Sequence, residues 1–189
     1  SGKHIAYFKK HFLCTGIDVN DGILKIARKN ITCATFKKAN MINFKLNEKF
    51  DVITCLFSAI GYVKTKNSLR KTIKNFYNHL KPGGVVIIEP WVTRSDYKSG
   101  LPFMTVFDSK DMKIARVNVG RKKGNISILE FHFLVAEKNK HVKYFVDKHE
   151  LGMFEVNDTL RIMRDAGFTA KFLNNINLSG GRGIYVCTK

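Results

Sequence analysis

Apolar residues follow two different rhythms along this chain, and the change comes just past residue 91. Before it, short β-branched runs alternate with stretches whose apolar residues recur at three- and four-residue spacing, the signature of strands interleaved with helices. Residues 13–18, 32–36, 51–57 and 85–89 predict strands. Between them, Asn20 or Asp21 caps a predicted helix with Ile23, Leu24, Ile26 and Ala27 as its apolar stripe. Ser68 caps a second, with Leu69, Ile73, Phe76, Tyr77 and Leu80 on one side, and Lys81-Pro82-Gly83-Gly84 stops it. Such a β-α-β-α-β series calls for a parallel sheet with right-handed crossovers. The run 51–57 is apolar enough to be buried on both faces. The turn carrying Phe57, Ser58, Gly61 and Tyr62, and Glu89-Pro90-Trp91 after the following strand, then lie outside the carboxyl ends of adjacent strands, where open α/β sheets bind ligands.

Past Trp91 the period shortens to two. Residues 103–107, 113–119, 126–135 and 142–149 read as strands of an antiparallel meander, with turns at 122–125 and 137–140. A helix over 157–165 ends at Ala166-Gly167, and strands at 169–173 and 183–187 complete the pattern. No repeat or linker separates these parts. The expected organisation is one domain: an α/β half over 1–92, a meander over 93–150 and a closing helix and hairpin over 151–189.

Composition narrows the function classes. No apolar run approaches the roughly 18 to 20 residues that span a bilayer, and the first residues resemble neither a signal nor a transit peptide, so the expected location is cytoplasmic. Cys14, Cys33, Cys55 and Cys187 are far apart and lack the spacing of a metal or disulfide framework; reduced core thiols are the expectation. The formal charge of +18 invites a nucleic-acid reading. The lysines are scattered, however, the densest cluster is Arg121-Lys122-Lys123, and no nucleic-acid-binding motif is present. What remains of that reading is a surface that attracts small anionic substrates.

The closing order of strand, helix and final strand resembles class I S-adenosylmethionine-dependent methyltransferases, a Rossmann-like α/β fold here carrying an antiparallel β flap. That resemblance implies an opening strand and a Gly-x-Gly-x-Gly turn. The chain opens instead on Ser1-Gly2 and runs directly into a predicted helix, so the expectation is a fragment lacking the first strand and most of the turn, with Gly2 as the turn's last glycine at the cofactor. Within the same resemblance Asp18, at a strand end, is placed to accept from both ribose hydroxyls of S-adenosylmethionine; a solvated strand-end acid is the alternative. Asn40 stands where an acid often accepts from the adenine amino group, and Met41 either packs on the adenine or joins the core. Phe57 faces the cofactor or the core. Tyr62 either orients or deprotonates an attacking amine, or lies on the surface.

Several segments make the resemblance closer: 56–65 (Leu-Phe-Ser-Ala-Ile-Gly-Tyr-Val-Lys-Thr), 82–91 (Pro-Gly-Gly-Val-Val-Ile-Ile-Glu-Pro-Trp), Ala-Arg-Val at 115–117, Gly124-Asn125, Asp147-Lys-His149 and Gly181-Arg182-Gly183. Together they are similar to the N,N-dimethyltransferases of nucleotide-linked 3-amino deoxysugars. This implies Tyr62 as the catalytic-site ring residue, Arg182 available to the sugar nucleotide's diphosphate, and Glu89, Trp91, Arg116, Asn118 and His149 as further acceptor-side candidates. Three positions depart from that pattern: Trp91-Val92 replaces a Trp-Trp pair, Asn40-Met41 an Asp-Met, and Asn118-Val119 a Ser-His. The implied activity is methyl transfer to the amine of a small sugar-nucleotide acceptor. A methyltransferase for another small acceptor is the main rival, with a nucleotide-dependent dehydrogenase and a basic nucleic-acid-binding module behind it. Homodimerisation stays open.

Overall fold

The computed structural model describes residues 1–174 and 181–189. A short helix α1 (Lys3–Phe8) leads to strand β1 (Thr15–Asp18), helix α2 (Asp21–Asn30) and strand β2 (Thr35–Lys38). Strand β3 (Phe50–Cys55), a 3-10 turn (Ala59–Val63), helix α3 (Lys66–His79) and strand β4 (Leu80–Ile88) follow. The flap comprises β5 (Pro102–Asp108), β6 (Met112–Val119), β7 (Arg121–Lys123), β8 (Ile126–Glu137) and β9 (Lys143–Gly152). Helix α4 (Val156–Asp165), β10 (Thr169–Leu173) and β11 (Ile184–Thr188) close the chain.

The strand–helix series is carried by two parallel pairs and not by one continuous ladder. β1 pairs with β2, while β3 pairs with β4 in a second sheet of order β10-β11-β4-β3 whose last two strands run antiparallel. Within the described residues β3 has a neighbour on one side only. At that edge β3 is less covered than the sequence pattern predicted: Asp51, Val52 and Thr54 are exposed, Phe50 and Ile53 are partly buried, and Cys55 alone is buried. The central β4 is the buried strand: Val86 and Ile88 are fully enclosed.

Helices α2 and α3 begin at side-chain caps. Asn20 caps α2 by accepting the Ile23 N–H, but the stripe is narrower than predicted: Leu24 and Ala27 are buried, whereas Ile23 and Ile26 are exposed, because α2 packs on a two-stranded sheet. Thr65, and not Ser68, caps α3; its hydroxyl accepts the Ser68 N–H. α3 buries Leu69, Thr72, Ile73 and Phe76 against β4 and α4, joining Met163, Phe168 and Tyr185 in the main core. Residues 81–84 loop out of the β3–β4 ladder between the Phe50–Leu80 and Val52–Val85 pairs, Gly83 supplying a positive φ of 75°. Among the cysteines, Cys55 and Cys187 are core thiols as predicted, but Cys33 is exposed and Cys14 only partly covered. No helix among the described residues is long and apolar enough to cross a membrane.

Burial pushes the Cys55 and Cys187 thiols up to about 12 from 9.0, and the Tyr185 phenol up to about 12 from 10.0. The folded state therefore holds these protons more tightly than the unfolded chain. The stability this contributes is complete below pH 9 and is lost as pH rises through about 12. Thermal melts in reducing buffer across that window are expected to show Tm falling with pH, and Cys187→Ala to make the fall shallower.

Candidate active site

The site begins where β3 ends. Phe57 and Ser58 adopt left-handed φ values of 54° and 59°, a conformation that costs a non-glycine residue roughly 1 to 3 kcal/mol and persists only when neighbours enforce it. The neighbours are the residues after β4. The Glu89 N–H donates to the Cys55 carbonyl at 2.9 Å, and Glu89 Oε2 accepts the Phe57 N–H at 2.6 Å. The Ser58 hydroxyl donates to the Pro90 carbonyl at 2.8 Å. With its turn pinned, Phe57 holds its ring in solvent at the sheet's carboxyl edge. Glu89 is 4% exposed; its other oxygen, Oε1, lies 3.5 Å from Arg182 Nη2, and that guanidinium sits 5.4 Å from the centre of the Trp91 ring.

Trp91 ties this edge to the flap. Its indole N–H donates to Ser127 Oγ at 2.8 Å, and Ser127, fully buried in β8, donates in turn to the Leu151 carbonyl of β9 at 3.2 Å. Leu151 packs onto Gly61, where an added Cβ would lie 2.9 Å from Leu151 Cδ2. The 3-10 turn and the flap are therefore in close contact, and Tyr62, next in that turn, faces β9.

There the Tyr62 hydroxyl lies 2.6 Å from His149 Nδ1, and His149 Nε2 lies 3.0 Å from Asp147 Oδ2. The carboxylate takes the Nε2–H, which leaves Nδ1 with a lone pair to accept the phenol proton. Burial, and then the negative charge of Asp147, hold the Tyr62 phenol above its ordinary value. The same flap face continues through Phe131, whose ring is 5.3 Å from that of His149, to Arg116, whose guanidinium lies 4.8 Å from the Phe131 ring. Asn118, two residues beyond Arg116 on the same face of β6, is buried.

The remaining candidates lie around the β1–β2 pair. Gly2 has φ 79° and leads into α1; a Cβ there would meet Ile31 Cδ1 at 2.7 Å, so only glycine fits. Asp18 ends β1. Its Oδ1 accepts the Asn20 N–H at 2.8 Å, and its Oδ2 takes no protein donor among the described residues. Asn40 turns its oxygen onto the Ile42 N–H at 2.9 Å, and Met41 packs against the main core. Glu89, Trp91 and Arg182 thus cluster at one edge, and Tyr62, His149, Arg116 and Asn118 along the flap face. Three participants were absent from the sequence-based candidates: Asp147, Ser127 and Phe131. Asp147 carried a readable signal, since residues i and i+2 of a strand share a face and Asp147-Lys148-His149 places acid and imidazole together.

Comparisons with known proteins bear on the family and the fold. A family model described as a methyltransferase domain matches residues 1–84. The chain is 34% identical over 190 residues to a dTDP-3-amino-3,4,6-trideoxy-alpha-D-glucopyranose N,N-dimethyltransferase of Streptomyces venezuelae, covering 98% of this chain and 78% of that one. Among solved structures, DesVI of Streptomyces venezuelae superposes with a TM-score of 0.93 at 32% identity over 98% of this chain and 78% of its own. S-adenosylmethionine-bound CalS10, an amino pentose methyltransferase from Micromonospora echinaspora, gives 0.90 at 26% identity over 99% and 78%. Fold and sequence similarity define an S-adenosylmethionine-dependent methyltransferase. Within that class, the chain belongs to the amino-sugar N,N-dimethyltransferase family.

Removing the Glu89 carboxylate strips the Phe57 N–H of its acceptor and leaves the Arg182 charge uncompensated. Glu89→Ala is expected to lower the unfolding free energy by roughly 3 kcal/mol in urea titrations, and Glu89→Gln by less.

Proposed function

We propose that this methyltransferase methylates the exocyclic amine of a nucleotide-linked amino deoxysugar, as the names of its relatives state for them. The observation that carries this reading is the Tyr62–His149–Asp147 chain, a path for the proton an amine must lose, opening beside the carboxyl ends of β3 and β4.

The residues present fit the cofactor. Gly2 enters α1 in a left-handed conformation, with Ile31 packed where a side chain would stand, and Asp18 retains a carboxylate oxygen at the strand end for ribose hydroxyls. Asn40 and Met41 would border the adenine, and Phe57 would lie along the adenosyl group. When bound, S-adenosylmethionine supplies a methyl group already activated on a sulfonium. The chain's own work is to place the acceptor nitrogen, exclude water and take away a proton. An amine reaches the site largely as ammonium and cannot attack until it has a free lone pair. The Tyr62 oxygen accepts from an amine N–H while its own proton passes to His149 Nδ1, and Asp147 stabilises the imidazolium that results. Returning that proton to solvent resets the chain, so the monomethylated nitrogen can be deprotonated in the same way. Glu89, held by the Phe57 N–H and Arg182, serves as scaffold for this edge.

Incubation with S-adenosylmethionine and dTDP-linked 3-amino and 4-amino deoxysugars tests the reading. Mass spectrometry is expected to show one and then two added methyl groups on one of them, and absence of methylation on both would transfer the reading to a different small acceptor. Tyr62→Phe is expected to lower kcat by about 100-fold, and Asp147→Asn by less, with cofactor affinity unchanged in calorimetry. Asp18→Ala should show the reverse, a loss of roughly 1.5 to 3 kcal/mol in S-adenosylmethionine binding. Equal cofactor affinity in Asp18→Ala and the parent would remove Asp18 from the site.

A further inference from the structure

Strand β9 pairs with β8 along one side, and its last residues lie against the turn that carries Tyr62. Each residue from 149 to 152 meets that turn. The Tyr62 hydroxyl lies 2.6 Å from His149 Nδ1, and Lys64 Nζ lies 2.9 Å from Glu150 Oε2. Leu151 covers Gly61, and a Cβ added to Gly152 would stand 2.8 Å from the Lys64 carbonyl oxygen and 2.9 Å from its Cα. Neighbouring strand residues point to opposite faces, so His149 and Glu150 reach the turn from the two sides of the strand.

Lys64 is the unusual member of this set. Its φ of 61° and ψ of −39° place it in the γ-turn of positive φ, which the Thr65 N–H closes by donating to the Val63 carbonyl at 2.6 Å. Such a turn is rare and strained for a residue with a side chain, whereas glycine would occupy it freely. The other non-glycine residues of positive φ have their reasons on the page. Glu89 and Pro90 enforce Phe57 and Ser58, and Asn139 is a residue type that tolerates the conformation. Stability does not account for a lysine at position 64 either, because the two side chains of its ion pair are 46% and 37% exposed and such pairs add little. The effect of the pair is geometric. Lys64, first through its hydrogen bond, holds the Glu150 carboxyl below its ordinary value, and Gly152 brings the two backbones into contact. The turn is anchored in its own layer as well, since the next residue, Thr65, caps α3.

Resting on the proton-path reading above, we propose that Lys64 is a positioning residue for methyl transfer: its strained turn and its ion pair with Glu150 set the approach of Tyr62 to His149. Passing the phenol proton to Nδ1 requires the two rings to stay within hydrogen-bond reach. A strand at the border of the flap can slide along the turn unless contacts beside the reacting pair stop it. Lys64 supplies those contacts one and three residues past His149, and it neither takes nor gives a proton.

Three substitutions test this. Lys64→Gly relaxes the turn and removes the ammonium, Lys64→Met keeps the strain without the ion pair, and Lys64→Arg keeps both. Ultraviolet difference titration of the Tyr62 phenol, each protein against its own Tyr62→Phe derivative, needs neither cofactor nor acceptor. The parent phenol lies above its ordinary value. It is expected to fall towards that value in Lys64→Gly and Lys64→Met, as β9 loosens and takes its cover and Asp147 away, and to stay in place in Lys64→Arg. Loss of a nearby cation alone would move the phenol upwards, so the sign separates positioning from charge. With a dTDP-amino sugar that the parent methylates, kcat is expected to fall about tenfold in the Gly and Met variants, with KM and melting temperature little changed, and to recover in Lys64→Arg. A phenol that is unmoved or raised in both the Gly and Met variants overturns the proposal, whatever turnover does. A lowered phenol in a protein whose parent methylates no dTDP-amino sugar upholds the positioning role and overturns the acceptor reading.

Discussion

Everything at the carboxyl edge of the sheet depends on one buried carboxylate. Two successive non-glycine residues in left-handed conformation form an unfavourable turn, and Glu89 enforces it by accepting the Phe57 N–H while facing Arg182. The turn exposes Phe57 and buries Ser58, and it starts the 3-10 segment at the angle that sends Tyr62 towards the flap. A carboxylate that is 4% exposed needs this compensation as much as the turn needs the carboxylate. Site and scaffold are therefore stabilised by the same contacts.

The second constraint is the seam between flap and sheet. Trp91, Ser127, Leu151 and Gly61 form it through two hydrogen bonds and one close packing contact that admits no side chain at Gly61. Its consequence is chemical. The phenol comes from the α/β layer, while the imidazole, its carboxylate and Arg116 come from the flap, so the arrangement exists only when the two are docked. Asn118 and Trp91 lie along this same seam and face.

The strong positive charge also acquires a place in this picture. Many acidic residues pair with lysines or arginines at the exposed surface, contacts that each add little stability but leave a large excess of cation. An excess distributed over the whole surface draws small anions towards the protein without specifying where they dock.

Local pattern was sufficient for the order of elements, the shift from alternating strands and helices to a meander, and the position of Tyr62, Glu89 and Trp91 at strand ends. Side-chain period and turn chemistry act over a few residues, and these features need no more. Capping was less legible: Thr65 and Ser68 are both good caps, and backbone geometry chose Thr65. Burial was legible only on average, because β3 and α2 carry apolar residues whose coverage depends on how many neighbours their sheet supplies. The polar contacts of the site could not be read from pattern at all. Tyr62 meets His149 across 87 residues and Glu89 meets Arg182 across 93, and nothing local to either member names its partner. Sequence determined which chemical groups stand at strand ends and on strand faces; only the docking of flap on sheet decided which of them meet.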